Sequence, residues 1–136
     1  MTDLLEKFEN GILTLTINRP KSRNAMTLEL MEDMRTAIGK AGKSPDVRCL
    51  VITGTGQAFC VGADANQIPT DPSKTPSREE RIRDLRVNAK LSELLHTIPK
   101  PTIAVMPGMA AGGGLSIALA CDMRFCLNTA TLSTAF

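Results

Sequence analysis

The 136-residue sequence has no tryptophan, no tyrosine and only four phenylalanines. A platform for stacking nucleic-acid bases therefore has little to be built from. Charge of one sign is also missing. The formal net charge is +2, too small to argue for nucleic acid or an anionic membrane surface as partner. No apolar run approaches the roughly 20 residues of a membrane span. The first ten residues mix Asp3, Glu6 and Glu9 with apolar side chains, which is not the pattern of a secretory leader. A cytoplasmic location is the expectation. Cys49, Cys60, Cys121 and Cys126 form no C-x-x-C pair, and each sits in an apolar segment. They are expected to be reduced core thiols, not disulfides or zinc ligands. The single histidine, His96, falls at an expected helix end, where the dipole favours a charged imidazole.

Apolar residues make up 43% and charged residues 22%, the mix of a globular protein with a core. The length suggests one domain. Ile12 to Ile17 alternates, with Leu13, Leu15 and Ile17 on one face, as in a half-buried strand. Thr27 is an expected N-cap, followed by Leu28, Met31, Met34, Ile38 and Ala41 at helical spacing, with Gly42 expected to close the helix. Val47 to Thr53 is apolar on both faces and reads as a buried parallel strand. The glycines at 54, 56 and 62 predict a loop, and Pro69 to Pro76 a mobile polar one. Ser77-Arg78-Glu79-Glu80 is a capping-box pattern opening a long helix with Ile82, Leu85 and Ala89 inward. Pro101 to Met106 is a third strand, Ser116 to Cys121 a buried helix, and Met123 to Leu127 a further strand. Thr131 to Phe136 starts an element expected to lack a partner. The order β-α-β-α-β-α-β predicts an α/β fold with right-handed crossovers.

Gly112-Gly113-Gly114 lies between a strand and a helix. Glycines let the backbone approach a ligand closely, and N–H groups at a helix start face an incoming negative charge. Such donors suit an oxyanion hole, and the loop from Phe59 to Asp64 can supply a second one from Ala63. A plain strand-to-helix turn and a phosphate loop are the alternatives. For the latter, neither G-x-G-x-x-G nor a Lys-Ser/Thr after the glycines is present.

Gly56-Gln57-Ala58-Phe59-Cys60-Val61-Gly62-Ala63-Asp64 and Pro107-Gly108-Met109-Ala110-Ala111-Gly112-Gly113-Gly114-Leu115-Ser116, followed by Ala118 to Asp122, resemble the crotonase family of enoyl-CoA hydratases and isomerases. Leu15 to Pro20, Asn24-Ala25-Met26 and Lys100 to Ala104 extend the resemblance over nearly the whole chain. It implies a crotonase-like spiral of ββα units, here the N-terminal core portion, residues 1–136, truncated before the C-terminal helices and without a second domain. It implies an acyl-CoA thioester as substrate, coenzyme A entering only as part of that substrate, and no covalently bound cofactor or metal. The backbone N–H groups of Ala63 and Gly113 would be the oxyanion donors. Arg23, Ala25, Ala63, Asp64, Ala65, Gly112 and Gly113 would lie along the CoA, with Arg19, Lys21 and Arg23 near its phosphates and Asp64 orienting its loop.

The sequence departs from the family where hydratases carry a glutamate two residues after the triple glycine. Here the residue is Ser116, a poor acid or base at neutral pH without a partner, expected to be a pocket wall or to position water. A second family acid would lie beyond Phe136. The expectations are thus an enolate-stabilising enzyme, hydratase or isomerase, incomplete in this chain, or a non-catalytic half-domain that binds CoA esters. As partners they include a homo-oligomer, a trimer or hexamer in full-length members, or a missing C-terminal half.

Overall fold

A computed structural model of the chain describes residues 2–67 and 76–135. The expected loop beginning at Pro69 lies outside the described residues, except for Pro76.

Strand β1 (Leu4–Glu9) pairs antiparallel with β2 (Ile12–Ile17) across a two-residue Asn10-Gly11 turn. Asn-Gly between two strands is the strongest short-range hairpin signal, and both residues take the positive φ that such a turn needs, +52° and +80°. β2 buries Leu13, Leu15 and Ile17 on one face, as the alternation predicts. The next helix, α1 (Leu28–Lys43), is capped by the Thr27 hydroxyl, which accepts from the Leu30 N–H at 3.2 Å. Gly42 does not end it: the helix runs on to Lys43. A side chain at 42 would crowd Ile98, whose Cγ1 lies 3.2 Å from where its Cβ would stand. The glycine there serves packing, not termination.

α1 carries the chain across to β3 (Cys49–Gly54), parallel to β2. Next come the short strand β4 (Ala58–Cys60) and helix α2 (Arg78–Thr97), opened by the Ser77–Glu80 capping box. The unit then repeats with β5 (Thr102–Met106), β6 (Met109–Ala111) and α3 (Gly113–Ala120), and a third time with β7 (Met123–Cys126) and β8 (Leu132–Ser133). Strands of the first kind build a five-stranded sheet, order β1-β2-β3-β5-β7. The short strands build a second, parallel sheet, order β4-β6-β8. The turns β3-β4-α2 and β5-β6-α3 thus each lay down one strand in each sheet and one helix. This is the expected spiral of ββα units.

Three expectations need correction. The stretch from Thr131 does find a partner: β8 pairs with β6, with Ala110 N–H donating to Thr131 O and Gly112 N–H to Ser133 O. Helix α2 does not turn Ile82 and Leu85 into the core, since these are 39% and 67% exposed, and Ala89 is exposed too. Among its described side chains Leu91 and Leu95, in the C-terminal part of the helix, are buried, while Leu85 and Ala89 border a cavity. Finally, Cys60 and Cys121 are buried, but Cys49 is half-buried and Cys126 stands exposed on β7, all four as free thiols. Burial pushes the Cys60 and Cys121 thiols up to about 11, so both stay neutral and inert at physiological pH.

Candidate active site

β4 and β6 are neighbouring parallel strands, so both chains leave the small sheet at the same end. Three residues after β4 stands Ala63, and two after β6 stands Gly113. Two backbone conformations complete the turns. Gly62 has φ +95° and Gly112 has φ +50° with ψ −125°, regions that residues with a Cβ seldom enter. Gly62 also packs on the other loop: a Cβ there would lie 3.2 Å from Ala111 O and 3.4 Å from the Gly113 nitrogen. The two loops are therefore in contact, and this contact brings the sequence-predicted donors to one place.

Their N–H groups are free for a ligand. Around Ala63, Met26 N–H donates to Gly62 O at 2.7 Å and Asp64 N–H to Met26 O at 2.9 Å. This bridge turns the Ala63 N–H the other way, and no backbone acceptor meets it among the described residues. Gly113 opens α3, and the first N–H groups of a helix have no intrahelical acceptor. Both residues line one cavity of about 520 Å³, together with Ser116.

Ser116 sits one turn into α3, and its hydroxyl donates back to the Gly112 carbonyl at 3.3 Å. Its proton is occupied by a neutral backbone acceptor, and no carboxylate or imidazole lines the cavity among the described residues. The remaining wall comes from Met26 and Met31, from Leu85, Leu91 and Ser92 of α2, and from Ile117 of α3. Sequence reasoning placed Met31, Leu85 and Ala89 on helix faces. It found no cavity, because no periodicity says which part of a helical face lies over empty space.

Asp64 is buried and holds the first loop. One carboxylate oxygen accepts from the Asn66 N–H and side chain, both at 3.0 Å, and the other accepts from Arg19 at 2.9 Å. The Asn66 N–H, and next the Arg19 guanidinium, hold its carboxyl below the usual carboxylate range. Arg19 is itself fully engaged: it also bonds Asp3 at 3.0 Å and the Ala25 carbonyl. Its charge is spent on tying the N-terminus to this loop, not turned towards a phosphate. Arg23, by contrast, is exposed and borders a second cavity with Pro20, Gly56 and Gln57. Ala25 is buried, and Ala65 is exposed in a short 3-10 turn after the loop.

The lowered carboxyl gives a pH prediction. The native state releases the Asp64 proton more readily than the unfolded chain, so its contribution is complete above the unfolded value of about 3.9. It is lost as pH falls below that value. Asp64→Asn is expected to flatten the fall in urea midpoint below about pH 4. An unchanged acid limb would show that the carboxylate carries none of it.

Two neighbouring loops of a spiral of ββα units thus meet at the wall of one cavity. The chain belongs to the enoyl-CoA hydratase/isomerase family, whose profile matches residues 7–136. It is 32% identical over 136 residues to 1,2-epoxyphenylacetyl-CoA isomerase of Escherichia coli, covering 100% of this chain and 52% of that one. It is 32% identical to 4-chlorobenzoyl coenzyme A dehalogenase-2 of Arthrobacter, covering 93% and 46%. The crystal structure of an enoyl-CoA hydratase/isomerase from Xanthobacter autotrophicus superposes with a TM-score of 0.88 at 27% identity, over 96% of this chain and 48% of that one. The chain therefore spans about half the length of the relatives it matches.

Proposed function

We propose that this chain binds an acyl-CoA thioester with its carbonyl oxygen between the backbone N–H groups of Ala63 and Gly113, and so stabilises the enolate form of the acyl group. The single observation that carries the reading is the meeting of two unused donors, on loops leaving adjacent parallel strands, at the wall of one apolar cavity. Two preorganised donors in a water-poor site lower the energy of a developing oxyanion without reorganising. Coenzyme A enters as part of the substrate and needs no resident cofactor. Arg23, Ala25, Asp64, Ala65 and Gly112 lie along the route proposed for it, residues 1–136 form the N-terminal core portion of the domain, and the setting is cytoplasmic.

A second reading has its own observation. Among the described residues the cavity holds no group able to transfer a proton, and Ser116 donates to a carbonyl. A chain of this kind binds the thioester and polarises it without completing hydration or isomerisation, unless another chain supplies the acid. Calorimetry with acetyl-CoA and a turnover assay with crotonyl-CoA separate the cases. Stoichiometric binding with negligible turnover is the expected result for the 136-residue chain. Turnover at ordinary enzyme rates would favour the complete enzyme, and absence of binding would sink the ligand and the donor assignment together.

A further inference from the structure

We infer that Arg19 is a positioning residue of the proposed thioester site: its guanidinium cancels the Asp64 carboxylate charge one residue from the Ala63 donor, and clamps the main-chain bridge that aims that donor. The inference rests on the thioester reading above and adds a residue that the reading does not use.

The root of the side chain is fixed first. The Arg19 N–H donates to Asn24 Oδ1 at 2.9 Å, and its carbonyl accepts from the Asn24 N–H at 2.9 Å. From this anchored turn the guanidinium reaches three segments: Asp3 at 3.0 Å, the Ala25 carbonyl, and Asp64 at 2.9 Å. Two of these contacts flank one structure. Met26 and Ala63 form an isolated parallel bridge, in which the Met26 N–H donates to the Gly62 carbonyl and the Asp64 N–H to the Met26 carbonyl. Ala25 precedes one bridge partner and Asp64 follows the other, so the guanidinium closes the bridge from outside. A rigid, planar fork of donors can hold separate acceptors in fixed directions, which a single ammonium on a flexible stem cannot. Charge adds to the tie. An enolate oxygen held at Ala63 is negative, and Asp64 is a buried carboxylate one residue further on. Like charges this close repel, and more strongly away from bulk water. Arg19 brings the inner pair to net zero. Its outer partner Asp3 is 45% exposed against 6% for Asp64, so water and salt screen that second carboxylate. The loop also has a support that does not need the charge: Asp64 Oδ1 accepts from the Asn66 N–H and amide, a role open to the oxygen of an asparagine.

The probe is acetoacetyl-CoA, a thioester whose acidic CH₂ gives an enolate visible by its ultraviolet band. The enolate-to-keto ratio of the bound probe at pH 7 reports the field at the proposed donors. Arg19→Met leaves the Asp64 charge unmatched and is expected to lower the ratio about tenfold, one unit in the acidity of the probe. Asp64→Asn leaves the Arg19 charge unmatched and is expected to raise it. The two substitutions together are expected to bring it back to within about threefold of the parent, the coupling of a charge pair. Arg19→Lys, which keeps the charge and loses the fork, is expected to stay closer to the parent than Arg19→Met. A purely structural tie cannot move the two single variants in opposite directions. A ratio that falls in both, or one that is the same in every chain, overturns the inference while leaving thioester binding intact. Where Arg19→Met does not fold, Asp64→Asn decides: a rise supports the inference and a fall overturns it. Failure of acetoacetyl-CoA to bind the parent chain overturns the thioester reading and the inference with it.

Discussion

Gly114→Ala is expected to cost about 3 kcal/mol of stability, and Gly113→Ala, one residue earlier, less than about 1 kcal/mol. A Cβ on Gly114 would overlap the Cys60 carbonyl oxygen and lie 2.7 Å from the Cys60 carbonyl carbon. That carbonyl is backbone of a buried strand in the small sheet and has nowhere to go. Alanine's helix propensity returns at most about 1 kcal/mol, so overlap wins. On Gly113 the first obstacle is the Met26 methyl at 2.8 Å, the far end of a flexible side chain that moves aside. The added methyl and the displaced Met26 then fill the space beside the donor. Gly113→Ala is accordingly expected to fold normally and to weaken acetyl-CoA binding by about tenfold or more. Urea denaturation and calorimetry on the two variants supply the check. A Gly114→Ala chain within 1 kcal/mol of the parent would show that the strand and helix are not locked as described.

Asn24→Ala is expected to be more damaging, at about 4 kcal/mol. Asn24 is fully buried with φ +59°, a left-handed conformation that asparagine tolerates better than alanine. Its amide donates to Thr55 O at 2.9 Å and Ala58 O at 2.7 Å, and its oxygen accepts from the Arg19 N–H at 2.9 Å. One side chain thus ties the turn after β2 to both ends of the segment between β3 and β4. Its removal leaves three backbone groups short of partners, at about 1–3 kcal/mol for each that is left buried and unmade. Asn24→Asp keeps the shape and the acceptor but loses both donors. It is expected to recover only a minor part of the loss. A melting temperature for Asn24→Ala within a few degrees of the parent would rule out this bracing role.

The long elements were legible in the sequence because each carries a local signal. Thr27 and Ser77 cap helices where the hydroxyl pattern predicts them, and β3 lies between two parallel strands as its two-faced apolar run requires. The short strands β4 and β6 were not legible. Three residues carry no usable alternation, and their pairing is set by contacts about 50 positions apart in the chain. The candidate site shows the same division. The glycines and the resemblance singled out Ala63 and Gly113, and the structure places them together. The inward face of α2 was misplaced, because periodicity gives the apolar side of a helix but not how much of its length meets a core. The role of Asn24 left no trace that one sequence displays, since a buried asparagine with three bonds and an exposed one in a turn are written alike.

The donors proposed at Ala63 and Gly113 belong to main chain, on loops anchored by adjacent strands. No side-chain deletion removes either N–H. Ala63 is alanine already and Gly113→Ala keeps its N–H, so an alanine scan deletes neither proposed donor while it reports Asn24 and Leu91. In the proposed site, the main chain that would bind the oxygen and the side chains that would face the acyl group are therefore free to change separately.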